Sequence, residues 1–308
     1  MRMVNRTGVA VAVLSVAVVM LSLSPSRWHG SVRTASATPS VAVAPQYDST
    51  HVYVAPEDVD RFVASFLGTF GGKSSKQVVA TVTPTPSRTS SQMLQTPVGM
   101  VSLFGFKTPI PFPFGAERTG YVVTDLDAAV RAARESGAAV LVTPFADPIG
   151  RDAVIQWPGG VNMQLYWHTT APSYALLQTV PENSRLCVSG ECQRVHPRIS
   201  RLFHGTVVSD EAHASGVEIG RPDESYRRIR IASPFGKMCV LVTDGHLPYP
   251  YGRETTGYEV ASVADTLAKA KAAGAVVLVP PYISDQRSAA MVQFPGGYIA
   301  EIHSIERQ

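Results

Sequence analysis

Glu301 and His303 stand two residues apart in the apolar run near the chain's end. Side chains at i and i+2 of a strand point the same way. A carboxylate and an imidazole would therefore share one face, and these residue types exchange protons in catalysis. A solvated strand end is the plain alternative. By the same alternation Gln164, Tyr166 and His168 share a face. His51 heads another short apolar run and could serve as a ligand or general base, or simply open a strand. Arg118 and Arg185 could clamp a carboxylate or phosphate through paired N–H donors, or form ordinary ion pairs.

Other chemistries lack their signatures. The sequence has no Gly-x-Ser-x-Gly elbow and no Gly-rich phosphate loop. Cys187, Cys192 and Cys239 show no C-x-x-C spacing. Cys187 and Cys192 are close enough to bridge, or all three are buried small hydrophobes. Arg227, Arg228 and Arg230 form one basic cluster, expected on an exposed sheet face with Ile229 and Ile231 turned inward.

The 308 residues are 45% hydrophobic and 17% charged, a globular balance rather than a disordered or fibrous one. Basic residues number 27 against 24 acidic. Arg2, Arg6, Arg27 and Arg33 all precede Ala37 in a stretch without acids, so the remainder is nearly neutral. A nearly neutral chain has no general attraction for nucleic acid or anionic lipid. Arg2 and Arg6 lead into an uncharged run whose centre, Val9 to Leu23, is mostly aliphatic, and Ala35-Ser36-Ala37 follows. This pattern is a secretory signal, its apolar core shorter than the ~20 residues of a spanning helix. Residues 1–37 are expected to be cleaved after Ala37, leaving an exported protein with no stable membrane association.

An internal repeat organises the rest. Residues 111–121 match residues 248–258, an offset of 137, and Trp157-Pro158-Gly159-Gly160 meets Phe294-Pro295-Gly296-Gly297 at the same spacing. Nearer the start the offset drifts to 134, pairing His51 with Arg185. Glu117 and Glu254 correspond between the copies.

Each copy divides into two halves of one element order. In the first half, His51 to Val54 is a strand, and Val59, Phe62, Val63, Phe66, Leu67 and Phe70 recur at helical spacing before the Gly71-Gly72 cap. Strands at Val78 to Val82 and Val98 to Phe106 follow, with a weak one around Ser91 to Leu94. The second half has a strand at Gly120 to Thr124, an N-cap at Asp125 or Asp127, and a helix to Gly137. Its strands are Ala139 to Val142, Ala153 to Trp157 and Asn162 to Tyr166. Copy two repeats the late pattern at Val263 to Ala273, Val276 to Val279, Ala290 to Phe294 and Ile299 to His303, while Pro197 weakens its first helix. The order is βαβββ, four times.

Strand, Asp, helix, Gly, strand, loop, strand with a Pro-Gly turn and last strand resembles the vicinal oxygen chelate superfamily, which groups glyoxalase I, bleomycin-resistance proteins and extradiol dioxygenases. The best segments are Thr119 to Trp167 and Thr256 to His303. The resemblance implies an α+β fold in which two βαβββ modules face each other in one cupped sheet. Four modules then make two tandem glyoxalase-like domains, residues 49–168 and 183–308, with linkers at 38–48 and 169–182. Family members that use a metal place ligands on the first strand of each module and a Glu on the last. The positions here are His51, Arg118 and Gln164 in copy one, and Arg185, Thr255 and Glu301 in copy two. A one-residue slip would bring Glu117 or Glu254 into place. Trp157 and Phe294 stand where the family usually has Asp.

The resemblance thus implies binding, and conversion in some form, of a small oxygenated or aromatic molecule with no cofactor expected. Arg118, Arg185, Tyr166, Glu117 and Glu254 are the ligand-binding candidates. Glu301 and His303 are the catalytic candidates. The alternative is a divalent-metal lyase or dioxygenase whose ion is held by Glu301 and His303, or by His51 with Gln164, and a non-catalytic interaction module is a third reading. Phe112, Phe114, Trp157, Tyr166, Tyr249 and Tyr251 could wall a cup, whereas Tyr121 and Tyr258 are expected in the core. The Pro-Phe-Pro-Phe and Pro-Tyr-Pro-Tyr runs lack ladder donors and are expected at the cup rims. Two cups in one chain make a dimer unnecessary.

Overall fold

The structure, a computed structural model, describes residues 40–188, 197–252 and 254–305. The expected signal at 1–37 and Cys192 lie outside them.

Copy one contains β1 (Ser49–Val54), α1 (Val59–Phe70), β2 (Lys73–Ser74), β3 (Val78–Ala80), β4 (Thr89–Thr96) and β5 (Gly99–Phe106). Its second module has β6 (Thr119–Val122), α2 (Leu126–Glu135), β7 (Ala139–Asp147), β8 (Gly150–Gln156) and β9 (Asn162–His168). Copy two has β10 (Glu182–Val188), a helix α3 over 197–203, β11 (Thr206–Ser215), β12 (Ser225–Ser233) and β13 (Gly236–Thr243). It ends with β14 (Thr255–Glu259), α4 (Val263–Ala272), β15 (Val276–Ser284), β16 (Arg287–Gln293) and β17 (Ile299–Ile305).

Each copy forms one curled mixed sheet, in order β2-β4-β5-β1-β6-β9-β8-β7 and β11-β12-β13-β10-β14-β17-β16-β15. The short β3 also pairs with β4, so the second strand of the first module is split in two. In every module the first strand runs parallel to the last. The two first strands of a copy meet antiparallel at the sheet's centre.

Local chemistry explains the helices. Asp125 caps α2 by accepting from the Ala128 N–H at 2.9 Å, and Ser262 caps α4 from Asp265 at 3.2 Å. Gly71, at φ 75°, ends α1. Pro197 is the first described residue of α3, and the start of the stretch from Glu191 expected to form this helix lies outside the described residues. Strands β7 and β15 run on through Pro144 and through Pro280-Pro281, past the ends expected from sequence. Both are edge strands whose registers shift at those prolines, where no ladder donor is required.

The helices place the cores between the copies. Val59, Phe62 and Phe66 of α1 join Val263, Leu267 and Ala270 of α4, together with Phe294 and Tyr258, in one buried cluster. Leu126, Val130 and Ala133 of α2 join Ile199, Leu202 and Phe203 of α3 in the other. The first module therefore shares its core with the fourth, and the second with the third. The opposite faces of the sheets are left to form the cups. Tyr121 and Tyr258 are buried in these cores, as expected, and so is Trp157.

Candidate functional site

In copy one the pleat turns His51 and Tyr53 of β1, Ser102 and Phe104 of β5, and Ser91 and Met93 of β4 to one face, as their pairings require. From the other module Gln164, Tyr166 and His168 of β9 and Asp152 of β8 turn to the same face. These side chains line a cavity of about 440 Å³, closed at its rim by Phe114 and by Tyr174 from the linker.

Several of its polar groups are paired with one another. Tyr53 donates its hydroxyl to Glu117 Oε1, and the His51 ring brings Nδ1 to 3.6 Å from the same oxygen. Glu117 is fully buried. Gln164 Nε2 donates to Asp152 Oδ2 at 2.7 Å. Burial pushes the Asp152 carboxyl well above the usual range, and nearby Asp147 adds to the effect. Tyr166 donates to the Tyr47 carbonyl at 2.9 Å, and its ring stacks on His168 at 5.3 Å. Burial lowers the His168 pKa, with Asp147 opposing it.

The inward position of β6 is Gly120, which pairs with Gln164. A Cβ there would fall 2.3 Å from His51 Nε2 and 2.6 Å from Tyr166 Cε1. The strand uses this place as room for its neighbours. Arg118, two residues earlier, does not line the cavity; its carbonyl accepts from the His51 N–H at 2.9 Å.

Copy two has the same frame but is filled. Glu182 pairs with Gly257 as Ser49 pairs with Gly120, so the residue equivalent to His51 is Ser184. The sequence pairing of His51 with Arg185 is thus one residue out. Arg185 points behind the cup, to Glu254 Oε2 at 2.6 Å and to Thr119 Oγ1 at 2.7 Å. Glu254 is accordingly a partner of Arg185 and not part of the cavity wall. The cup itself holds three arginines. Arg287 donates to Glu182, to Glu301 and toward His303 Nδ1. Arg228 meets Glu218, Glu211 and Asp285, while Arg230 lies 3.6 Å from Glu182. About 40 Å³ of space remains. The basic cluster is therefore not a solvated face, since Arg228 is 1% exposed and only Arg227 of the three turns outward, to Asp210.

Glu301 and His303 are thus together on the floor of cup two, in contact with Arg287, whereas His51 and Gln164 are in cup one. Sequence reasoning missed Asp152. Its signal was present, because Ala153, Ile155 and Trp157 occupy the core face and force Asp152 toward the cup.

First-row metal sites use three or more donors. In cup one Gly120 has no side chain, the Gln164 amide is oriented by its bond to Asp152, and His51 and His168 are the imidazoles of the lining. In cup two the carboxylate and imidazole already face a guanidinium. No group of three His, Cys, Asp or Glu among the described residues has the geometry to hold an ion. The donor sets do not fit the metal that the fold implies.

No protein-family model and no curated protein matches the chain. Solved structures do. A mutant of 4-hydroxymandelate synthase from Streptomyces coelicolor is 13% identical at TM-score 0.57, covering 88% of this chain and 94% of that one. A 2,3-dioxygenase from Pseudomonas sp. KL28 is 11% identical at TM-score 0.52, covering 87% and 94%. An Mn(II)-bound glyoxalase from Novosphingobium aromaticivorans is 12% identical at TM-score 0.50, covering 84% and 81%. The chain has the vicinal oxygen chelate fold in its tandem form.

Proposed function

We propose that the protein binds a small oxygenated or aromatic molecule in cup one without the family's chelated metal, and that cup two is its filled structural counterpart. The contrast between the cups carries this reading. One frame encloses about 440 Å³ walled by Phe104, Phe114 and Tyr166, while the other keeps about 40 Å³ around its ion pairs. A cavity with aromatic walls and a few convergent polar groups is the usual form of a small-molecule site. A thermal-shift screen of aromatic and dicarbonyl compounds tests it, because a ligand of the native state raises the melting temperature. Saturable shifts that disappear in Ser102→Phe, which fills the cup floor, are expected. No shift from any compound would sink the reading.

The divalent-metal lyase or dioxygenase alternative is supported by the Mn(II)-bound glyoxalase and the dioxygenase among the structural neighbours. The donor sets weigh against it. Metal analysis of the purified protein decides between them, and one firmly held ion per chain would favour the enzyme.

Residues 49–168 and 183–308 are read as the two domains. Export is part of the same proposal. It is supported by Arg2 and Arg6, the aliphatic run after them and Ala35-Ser36-Ala37, and by Cys187, which is disulfide-bonded. N-terminal sequencing of the secreted protein should begin at Thr38.

A further inference from the structure

Gly150 and Arg287 occupy the same position in their modules. Gly150 opposes Asp147 and His168, as Arg287 opposes Ser284 and Ile305. The same registers make Ser91 the counterpart of Arg228 and Met93 that of Arg230, since Ser91 and Met93 pair with Phe104 and Ser102 as the arginines pair with Leu241 and Cys239. The three guanidinium groups that fill cup two are thus replaced in cup one by a glycine, a serine and a methionine.

Cup one has carboxylates of its own, although Ser49 and Gln164 stand where cup two has Glu182 and Glu301. Asp152 is 6% exposed and lines the cavity, and Asp147 stands beside it. The only hydrogen bond to the Asp152 carboxyl among the described residues comes from Gln164 onto Oδ2, which leaves Oδ1 without a donor. Among the described residues Lys76 is the one Lys or Arg in the lining, and it is exposed. Above the floor, Tyr53 and Phe104 stack at 5.1 Å.

We propose that the ligand of cup one carries a guanidinium or ammonium group that reaches Asp152, with an aromatic body lying against Phe104, Tyr53 and Phe114. Inside the same chain, cup two shows a guanidinium seated among carboxylates in a hollow of the same frame, with its acids at other positions than Asp152 and Asp147. Charge-assisted bonds to a buried carboxylate and cation–π contact with the aromatic wall both favour such a group. The titration of the acids agrees. Burial pushes Glu182 up, but Arg287 and Arg230 outweigh it and hold it at about 2, whereas Asp152 has no facing cation and stays raised.

The inference rests on the reading of cup one as a ligand site, and its test separates the two. Calorimetry on the full mature chain at neutral pH would compare benzylguanidine with its neutral isostere benzylurea and with the anion phenylacetate. We expect benzylguanidine to bind at least about tenfold more tightly than benzylurea, with phenylacetate weakest. Asp152→Asn should erase that preference, weakening benzylguanidine at least about tenfold relative to benzylurea on the same variant. Should that variant not fold, the ranking of the three probes on the native chain decides alone. Equal or tighter binding of benzylurea or phenylacetate in cup one would overturn the cation preference and leave the ligand site standing. Binding by none of the three overturns this inference, and the wider screen above then judges the site itself.

Discussion

Arg287 grips Glu301 through two nitrogens, with Nε at 3.1 Å and Nη2 at 2.8 Å from Oε1, while its Nη1 reaches Glu182 on the neighbouring module at 2.7 Å. One guanidinium thus ties the last strand of the fourth module to the first strand of the third. Arg287→Ala should cost about 3–5 kcal/mol, because it strands two buried carboxylates. Urea unfolding measures the loss. Adding Glu182→Gln and Glu301→Gln should recover most of it, since the stranded charges are then gone.

The same cup should make the fold acid-sensitive in two stages. Burial first, and then Arg287, lowers His303 to about 3, so the unfolded chain takes up its proton before the folded one does. Stability therefore falls as pH drops from the ordinary histidine value toward 3. Glu182, held at about 2, adds a loss as pH falls from the ordinary carboxyl range toward 2. Melting temperature against pH should decline through both windows, and His303→Gln should flatten the upper one.

In cup one the sign reverses. The Asp152 carboxyl is raised, so the folded state keeps its proton longer and stability falls as pH rises above the ordinary aspartate value. Asp152→Asn should raise the melting temperature at pH 8, and the gain should shrink toward pH 4. A lower melting temperature at pH 8 would show that Asp152 already has a counter-ion.

Gly120→Ala should cost about 1–3 kcal/mol by overpacking, because the new methyl would meet His51 and Tyr166. Denaturation gives the stability term. Calorimetry with a cup-one ligand should show weakened binding as well, because His51 and Tyr166 must move aside.

Phe66 of copy one lies 5.6 Å from Tyr258 and 5.1 Å from Phe294 of copy two, ring centre to ring centre. Phe66→Ala should cost about 3–5 kcal/mol. Because the cluster spans both copies, unfolding should remain a single transition followed equally by probes on either sheet. Two separated transitions would show that each sheet stands alone.

The periodic elements were legible in sequence because each had a local cause. Val59, Phe62 and Phe66 marked the buried stripe of α1, and Asp125 marked the start of α2. Strand β4 looked weak, since Ser90, Ser91 and Gln92 suggest a solvated loop, yet it is a full strand from Thr89 to Thr96. The Pro-Phe-Pro-Phe and Pro-Tyr-Pro-Tyr runs do form loops, with Phe112 and Tyr249 exposed and Phe114 turned into cup one. The site was harder to read. Placing Arg185 opposite His51 was an error of one residue, and on a strand one residue moves a side chain to the opposite face. The filling of cup two depended on pairings of Arg228 with Glu218 and Asp285, separated by 10 and 57 residues, which no local pattern announces.

The interleaved cores also bear on inheritance. A recombination event at the linker that exchanged one copy for a diverged relative would join helix faces shaped for different partners, so α1 and α4, or α2 and α3, would no longer fit. The cup faces carry no such tie to each other. Drift can thus open or plug one bowl freely while the spine behind it changes only in concert.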